Sequence, residues 1–252
     1  MGNACKEFRT RLRGREEMMG TFLKTPSSIA AEMLGLAPLD VVCVDTEHAP
    51  FGRLETDACI AAFRAADKPS LVRIGDQSPR EIRNALDSGA TGILVPHVIS
   101  ARQAADITKA AHFGEGGRGF AGSPRAAGYT TKRMPDHLAE SAAETTVIVQ
   151  IEDLAALENV AEIAAVDGVD AVFVGRIDLA VAMNCSPMDD QVIEAVKLIC
   201  DKARDAGAAV GMFTPDVSEI PMWREHGCSF YLLSSDQSMI LDGARALSRI
   251  LD

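Results

Sequence analysis

Short apolar runs rich in β-branched residues recur eight times along the chain, with helix-like stretches between them. Most of the runs are continuously apolar, which is typical of parallel strands that are buried on both faces. The alternation of strand-like and helix-like segments predicts a series of βα units. The predicted strands cover residues 19–24, 41–47, 70–74, 92–97, 146–152, 171–178, 209–213 and 230–236.

Capping residues mark the expected helix boundaries. Ser78 followed by Pro79 predicts the start of a helix, and Gly89 predicts its end. The interval 98–145 is longer than one connection requires, because a Gly- and Arg-rich stretch follows its helix. Long ordered loops of this kind are often functional.

The length of 252 residues allows two small domains or one (β/α)8 barrel. No low-complexity linker separates two halves of the chain. The first predicted strand also lacks the Gly-rich turn that a doubly wound nucleotide-binding sheet usually carries. We therefore predict an α/β protein with a (β/α)8 TIM-barrel fold. It forms a single domain over residues 1–252, in which residues 1–17 are an N-terminal extension.

The charge balance narrows the class of partner. The chain carries 25 Lys and Arg against 36 Asp and Glu, a net charge of −11, and it has no basic tract. This excess of acid argues against binding to nucleic acid or to an anionic membrane surface. No apolar run approaches the length that spans a bilayer, and the charged N-terminus lacks a secretory signal. We expect a cytoplasmic protein that acts on small molecules.

Polar residues follow most of the predicted strands at their carboxyl ends. In a barrel these ends meet at one face, where the chemistry takes place. We therefore expect the following residues to lie around one site. They are Asp45, Glu47, His48, Arg73, His97, Gln150, Glu152, Asp178, Ser234, Ser235 and Asp236.

Glu152 and Asp178 are candidate metal ligands. Each follows a strongly apolar strand, and the two strands are neighbours along the chain. Two carboxylates at adjacent strand ends can bind one hard divalent cation together and leave some of its coordination positions open for substrate. The alternative is that both are acids at the N-termini of the helices that follow, where they would cap or stabilise those helices.

Arg73 lies within an apolar strand, so its guanidinium needs a partner. Its planar fork suits a substrate carboxylate or a developing enolate oxygen. An ion pair with Asp45 or Glu47 on the preceding strand is an equally good interpretation.

His48 is the best candidate for a general base among the five histidines, because it stands at the mouth of the second strand. Asp45 and Asp87 are both possible partners that would orient its ring. His97 also ends a strand, and its role stays open. Lys24 is the only lysine in a position to form a Schiff base, so carbonyl chemistry here is more consistent with a metal-assisted route.

Six segments together resemble the HpcH/HpaI family of metal-dependent pyruvate aldolases. The similarity runs in order from about residue 20 to the end of the chain. It implies a (β/α)8 barrel that reversibly cleaves 4-hydroxy-2-oxo acids to pyruvate, or a close 2-oxo acid such as hydroxypyruvate, and an aldehyde. The segments are VDTEHAPFG (44–52), LVRIGDQSP (71–79), ALDSGATGILVP (85–96), GGRGFAGSPRA (116–126), VQIED (149–153) and VDAVFVGRIDLA (169–180).

The resemblance also implies roles for individual residues. Glu152 and Asp178 would hold Mg²⁺, Mn²⁺ or Co²⁺, and Arg73 would bind the keto oxygen and stabilise the enolate. His48 would be the acid/base, paired with Asp87, which in the family can come from a neighbouring subunit. The other implied substrate contacts are Gln150 beside the metal, the amides around Ile177 and Asp178 for the substrate carboxylate, and Phe22 and Phe213 near the aldehyde.

The sequence departs from the family where GRIDL (175–179) replaces the usual Gly-Pro-Ala-Asp-Leu, which introduces Arg176 and Ile177 at the substrate-carboxylate end. The family resemblance implies a homo-hexamer, a trimer of dimers. Two alternatives remain open. One is a citrate-lyase or malyl-CoA-type lyase on the same barrel, and the other is a metal-free barrel that acts as a binding protein.

Overall fold

The computed structural model describes residues 3–250, and its eight parallel strands close into a barrel. Each strand pairs with the next, and β8 closes the ring on β1. The predicted single-domain (β/α)8 barrel is therefore confirmed. The strands are β1 (Met18–Leu23), β2 (Val41–Asp45), β3 (Ser70–Arg73), β4 (Gly92–Val95), β5 (Thr146–Ile151), β6 (Ala171–Val174), β7 (Ala209–Phe213) and β8 (Phe230–Ser235).

Seven of the eight strands end slightly earlier than the apolar pattern predicts, and β7 ends at the predicted residue. Strand β2 ends at Asp45, so Glu47 and His48 lie beyond it. Strand β6 ends at Val174, and Asp178 belongs to the helix that follows. The polar residues leave the hydrogen-bonded ladder because the barrel opens to solvent at this end, and this places their side chains around its mouth.

Eleven α-helices surround or cap the barrel within residues 3–250. Helix α1 precedes the first strand, and α6 lies in the long interval between β4 and β5, where the sequence predicted an ordered loop. The helices are α1 (Asn3–Arg13), α2 (Ser28–Leu36), α3 (Arg53–Ala65), α4 (Pro79–Asp87), α5 (Ala101–Ala111), α6 (Met134–Glu144), α7 (Val160–Ala164), α8 (Arg176–Ala182), α9 (Asp190–Asp205), α10 (Ile220–Glu225) and α11 (Asp236–Ser248).

The predicted helix boundaries around α4 are present. Ser78 caps this helix by accepting a hydrogen bond from the Glu81 amide, and Pro79 is its first residue. Gly89 follows its last turn with φ of +93°, a conformation that glycine adopts without a Cβ penalty. A single turn of this kind thus directs the chain from α4 into β4.

Two apolar cores hold the barrel together. One lies between the strands and the outer helices, and the other fills the barrel interior. Phe8 and Leu12 of α1 are fully buried and belong to the interior core, so α1 closes the end of the barrel where the strands begin. None of the helices within residues 3–250 combines the length and the apolar character that spanning a bilayer requires.

Asp170 ties α1 to the barrel through a buried carboxylate. It accepts hydrogen bonds from Arg9 Nε at 2.9 Å, from Arg13 Nε, and from the Val147 amide at 2.9 Å. We expect Asp170→Asn to lower the free energy of unfolding by about 2–3 kcal/mol, because charge-assisted bonds to a buried group are lost. Denaturant unfolding at fixed protein concentration measures this change.

The control for that prediction is Glu194→Gln, which removes a carboxylate paired with Lys197 on the exposed surface. Exposed pairs contribute little, so this variant should stay within about 0.5 kcal/mol of the wild type. Equal stabilities for the two variants would show that Asp170 does not fasten α1.

Candidate functional site

A cavity of about 440 Å³ opens at the face where the strands end. Its wall combines aromatic, cationic, acidic and amide side chains from the carboxyl ends of β1, β3, β5, β6, β7 and β8, from the starts of α8 and α11, and from the loop after β2. Nine of the residues predicted for the site border it. They are Phe22, His48, Arg73, Gln150, Ile177, Asp178, Phe213, Ser234 and Ser235.

Glu152 lies directly after β5 and belongs to a tight group with Glu47 and His97. One ligand atom from each of the three residues lies within 4.8 Å of the other two. The backbone of Gly175 approaches this group so closely that a Cβ atom there would lie 2.5 Å from the Cβ of Glu152. The absence of a side chain at Gly175 therefore lets the start of α8 pack against the acidic group.

His97 is held in the left-handed region with φ of +57°, which is costly for a residue other than glycine. This conformation turns its amide toward Glu152 Oε1, at 2.9 Å. Its ring Nδ1 lies 3.0 Å from Asp153 Oδ2, and its Nε2 lies 3.7 Å from Glu47 Oε1. His97 thus faces the acidic group with both its backbone and its ring.

Burial, reinforced by the negative charge of Asp178, raises the pKa of Glu152 above its ordinary value. Hydrogen bonds from the His97 amide and from Gln150 act in the opposite direction and do not outweigh it. Asp178 is exposed in the first turn of α8. Asp178 therefore lies at the N-terminus of a helix, as one of the two interpretations of the sequence proposed. It also borders the cavity, and its negative charge acts on Glu152.

The residues present fit a divalent cation. Gln150 Oε1 is a buried oxygen with no hydrogen-bond partner among residues 3–250. The buried Glu47 Oε2 accepts no hydrogen bond from these residues and has only ion-pair contacts, with Arg73 at 3.3 Å and His48 at 3.6 Å. Such atoms are costly to bury unless a ligand satisfies them. Carboxylate and amide oxygens with one imidazole form a donor set that accepts Mg²⁺ or Mn²⁺, and Co²⁺ by its preference for imidazole.

Arg73 forms an ion pair with Asp45, which is one of the two interpretations that the sequence allowed for this residue. The two residues are partners in the β2–β3 register, and the guanidinium bonds both carboxylate oxygens, at 3.0 and 2.7 Å. Burial disfavours the charge on Asp45, but Arg73 outweighs it and lowers the pKa of this carboxyl. Arg73 also lies 3.3 Å from Glu47 Oε2 and stacks on the Phe22 ring, 4.6 Å from its centroid. The pair with Asp45 fixes the guanidinium at the cavity wall.

The ring of His48 is about half exposed, and its Nε2 lies 3.6 Å from Glu47 Oε2. Asp45 accepts a hydrogen bond from the His48 amide at 3.1 Å, so it orients the backbone of His48 and not its ring. Glu47 is the acid nearest to the imidazole. The sequence had named Asp45 and Asp87 as the possible partners of the ring.

Within a single chain, Asp87 does not lie at the cavity. It ends α4, and a helix that follows a barrel strand ends at the opposite face, where the strands begin. There it accepts hydrogen bonds from Arg118, with Nε at 3.1 Å. Within one chain the fold therefore separates His48 from Asp87, and the pairing of these two residues stays a prediction that requires a neighbouring subunit.

Arg176, which departs from the family pattern, borders the cavity but directs its side chain elsewhere. Its side chain is 2% exposed, and its guanidinium pairs with Glu219 at 2.7 Å and lies over the Trp223 ring. Ile177 and Asp178 are left facing the cavity. Arg176 therefore connects the start of α8 to α10.

Comparison with known proteins gives a consistent result. Residues 18–242 match the HpcH/HpaI aldolase/citrate lyase family. A hydroxypyruvate/pyruvate aldolase of Paraburkholderia phytofirmans is 32% identical, with 97% of each chain covered. A 5-keto-4-deoxy-D-glucarate aldolase of Salmonella arizonae is also 32% identical, with 98% of each covered. A crystal structure of a HpcH/HpaI aldolase/citrate lyase family protein from Burkholderia cenocepacia superimposes on this chain with a TM-score of 0.92. The two sequences are 33% identical, and the superposition covers 98% of this chain and 100% of the other.

Proposed function

The chain belongs to the HpcH/HpaI aldolase/citrate lyase family, and we propose that it is the aldolase that splits 4-hydroxy-2-oxo acids into pyruvate or hydroxypyruvate and an aldehyde. The observation that carries this proposal is the cavity that Arg73, His48, Gln150 and Asp178 border. The Glu152 group adjoins this cavity, because Gln150 donates a hydrogen bond to Glu152. These groups match the demands of enolate chemistry. A divalent cation, Mg²⁺, Mn²⁺ or Co²⁺, is the proposed cofactor, with Glu152 and Asp178 as its ligands.

The difficulty of the reaction lies in the charge that develops on the 2-oxo acid. When the C3–C4 bond breaks, its electron pair passes into the C2–C3 bond and negative charge collects on the keto oxygen. The cation would supply Lewis-acid stabilisation of that charge. Arg73, already fixed by Asp45, donates hydrogen bonds to the same oxygen, and such preorganised charge needs no rearrangement during the reaction.

His48 performs the proton transfer in this proposal. It removes the proton from the C4 hydroxyl as the C3–C4 bond breaks, and the aldehyde forms. The protonated imidazole then returns this proton to C3 of the enolate, which gives the 2-oxo acid product. Glu47, 3.6 Å from the ring, stabilises the protonated imidazole that results. The amides of Ile177 and Asp178 hold the substrate carboxylate, and Phe22 and Phe213, with ring centroids 5.8 Å apart, form the wall toward the aldehyde.

The direct test is to incubate the enzyme and Mn²⁺ with 4-hydroxy-2-oxopentanoate and to follow pyruvate and acetaldehyde. We expect the two products in equal amounts. Cleavage of an acyl-CoA thioester such as malyl-CoA, with no pyruvate from the oxo acid, would favour the citrate-lyase or malyl-CoA-type alternative instead. The 32% identical relatives named as aldolases support the first outcome.

We also propose that the protein is cytoplasmic and assembles as a homo-hexamer, a trimer of dimers. Exposed apolar side chains support association: Leu36 of α2 is 85% exposed, and Ile240 and Leu247 of α11 are 65% and 68% exposed. In such an assembly Asp87 of one copy would serve the His48 of another. Mass measurement in solution tests the assembly.

A further inference from the structure

We propose that Arg176 is a positioning residue for the metal ligand Asp178. It fixes the start of α8 from outside the cavity, so that the carboxylate of Asp178 is already in place near Glu152 when a cation binds. This inference rests on the proposed function, because it explains how one of the two proposed ligands is held.

Asp178 depends on the backbone of α8 for its position. The residue is exposed in the first turn of a helix of seven residues, and no side chain caps the start of that helix. A helix this short has little stability of its own. Contacts from the rest of the fold must therefore determine where Asp178 stands.

Gly175 supplies such contacts on the cavity side of the turn. Its amide donates a hydrogen bond to the Ile151 carbonyl at 2.9 Å, and its missing side chain lets the backbone approach Glu152. These contacts hold the inner side of the turn. The outer side of the same turn is held by Arg176, whose side chain points away from the cavity into the protein.

The Arg176 guanidinium contacts three groups from two other segments of the chain. Nη2 pairs with Glu219 at 2.7 Å, Nη1 lies 2.8 Å from Met188 Sδ, and the central carbon lies 5.5 Å from the centroid of the fully buried Trp223 ring. Glu219 is fixed in turn, because its Oε2 also accepts a hydrogen bond from Trp223 Nε1 at 3.1 Å. Contacts on both the edge and the face of a planar guanidinium define its orientation.

The pair with Glu219 also joins the segments that follow two adjacent strands. Val174 and Met212 are partners in the β6–β7 register, and Glu219 ends a short 3-10 turn (Val217–Glu219) after β7. Without the Arg176 side chain, the segment after β6 would lose this attachment to the segment after β7.

The cost of this burial indicates a role beyond stability. Arg176 Nε is a buried donor without a hydrogen-bond partner among residues 3–250. A well-packed apolar pair of the same volume is often at least as stable as two buried charges. The family resemblance places a proline at this position, and proline presets the backbone of a first helical turn. Arg176 fixes the same turn through its side chain.

Calorimetric titration with Mn²⁺ tests this role without turnover. We expect Arg176→Met to bind the ion about 10- to 100-fold more weakly than the wild type, the usual effect of losing a group that orients a ligand. In cleavage assays the Mn²⁺ concentration for half-maximal rate should rise by the same factor. At saturating Mn²⁺, kcat should stay within about threefold of the wild type, because Arg176 acts through the ligand and not on the substrate.

Two further single variants frame this result. Arg176→Lys keeps a positive charge beside Glu219 and should lose less Mn²⁺ affinity than Arg176→Met. The control is Arg224→Met, which removes a half-exposed cation of α10 that pairs with Glu17 on the surface. It should bind Mn²⁺ as the wild type does.

A double variant separates positioning from stability. Arg176→Met combined with Glu219→Gln leaves no unpaired buried charge, and the amide oxygen can still accept from Trp223 Nε1. Its free energy of unfolding should therefore recover toward the wild-type value. Its Mn²⁺ affinity should stay as weak as that of Arg176→Met alone, because the attachment of α8 is still missing.

Two outcomes would overturn the role of Arg176. One is wild-type Mn²⁺ affinity in Arg176→Met. The other is a double variant that regains affinity together with stability, since Arg176 would then only neutralise Glu219. Exchange of the pyruvate methyl protons in D₂O, followed by NMR, judges the proposed function separately. A wild type that binds Mn²⁺ without this exchange overturns the aldolase and not Arg176, and a wild type that binds no Mn²⁺ overturns both.

Discussion

Removal of divalent cations with EDTA is expected to lower pyruvate release by about a thousandfold, equivalent to about 4 kcal/mol of transition-state stabilisation. Mn²⁺ or Mg²⁺ should restore the rate. Glu152→Gln should cause a similar loss that added metal does not repair. Glu152 stands in the group with Glu47 and His97, and the amide keeps its size but removes the charge that attracts a cation.

Calorimetric titration with Mn²⁺ gives a measurement that does not depend on turnover. Glu152→Gln should bind the ion much more weakly than the wild type. Exchange of the pyruvate methyl protons in D₂O, followed by NMR, should disappear in the same variant. Glu158→Gln is the matched control, because it removes an exposed carboxylate shortly after the same strand. Full activity of metal-free wild type, or unchanged Mn²⁺ affinity in Glu152→Gln, would contradict the assignment.

The barrel was predictable from sequence because its signal is local. Most strands are continuous apolar runs, and helices such as α4 are bounded by capping residues, here Ser78 and Gly89, so neither signal requires knowledge of distant contacts. The end of α4 illustrates the limit of this approach. Asp87 was a plausible partner for His48 in the sequence, but only the direction of α4 reveals that it stands at the opposite face of the barrel.

The acidic group was only partly predictable. Glu152 was identified from its place after a strand, whereas Glu47 and His97 were left without a metal role. The β4–β5 register pairs Val95 with Val149, which carries His97 next to Glu152. A signal therefore existed in the position of His97 at a neighbouring strand end. The left-handed backbone that turns its amide toward Glu152 had no such signal, because nothing in the residue type favours φ of +57°.

Arg73→Gln is expected to lower kcat by about 100- to 1,000-fold, the usual effect of losing a donor to a developing oxyanion. The change also deprives the buried Asp45 of its bidentate partner, so part of the loss could come from a less stable protein. Arg73→Lys separates the two effects. It keeps a positive charge beside Asp45 but cannot bond both carboxylate oxygens and the substrate in a fixed plane.

We therefore expect Arg73→Lys to unfold at nearly the wild-type denaturant concentration and still to lose most of its turnover. Its Mn²⁺ affinity should be close to that of the wild type, since Arg73 carries no metal ligand atom. Rates of pyruvate methyl exchange should fall in parallel with kcat, because both require the same enolate. If a folded Arg73→Gln protein cleaved substrate at the wild-type rate, the pair with Asp45 would be the whole role of Arg73, and the enolate would need another donor in the cavity. Lys24, 3.2 Å from the same carboxylate, would be the first residue to test.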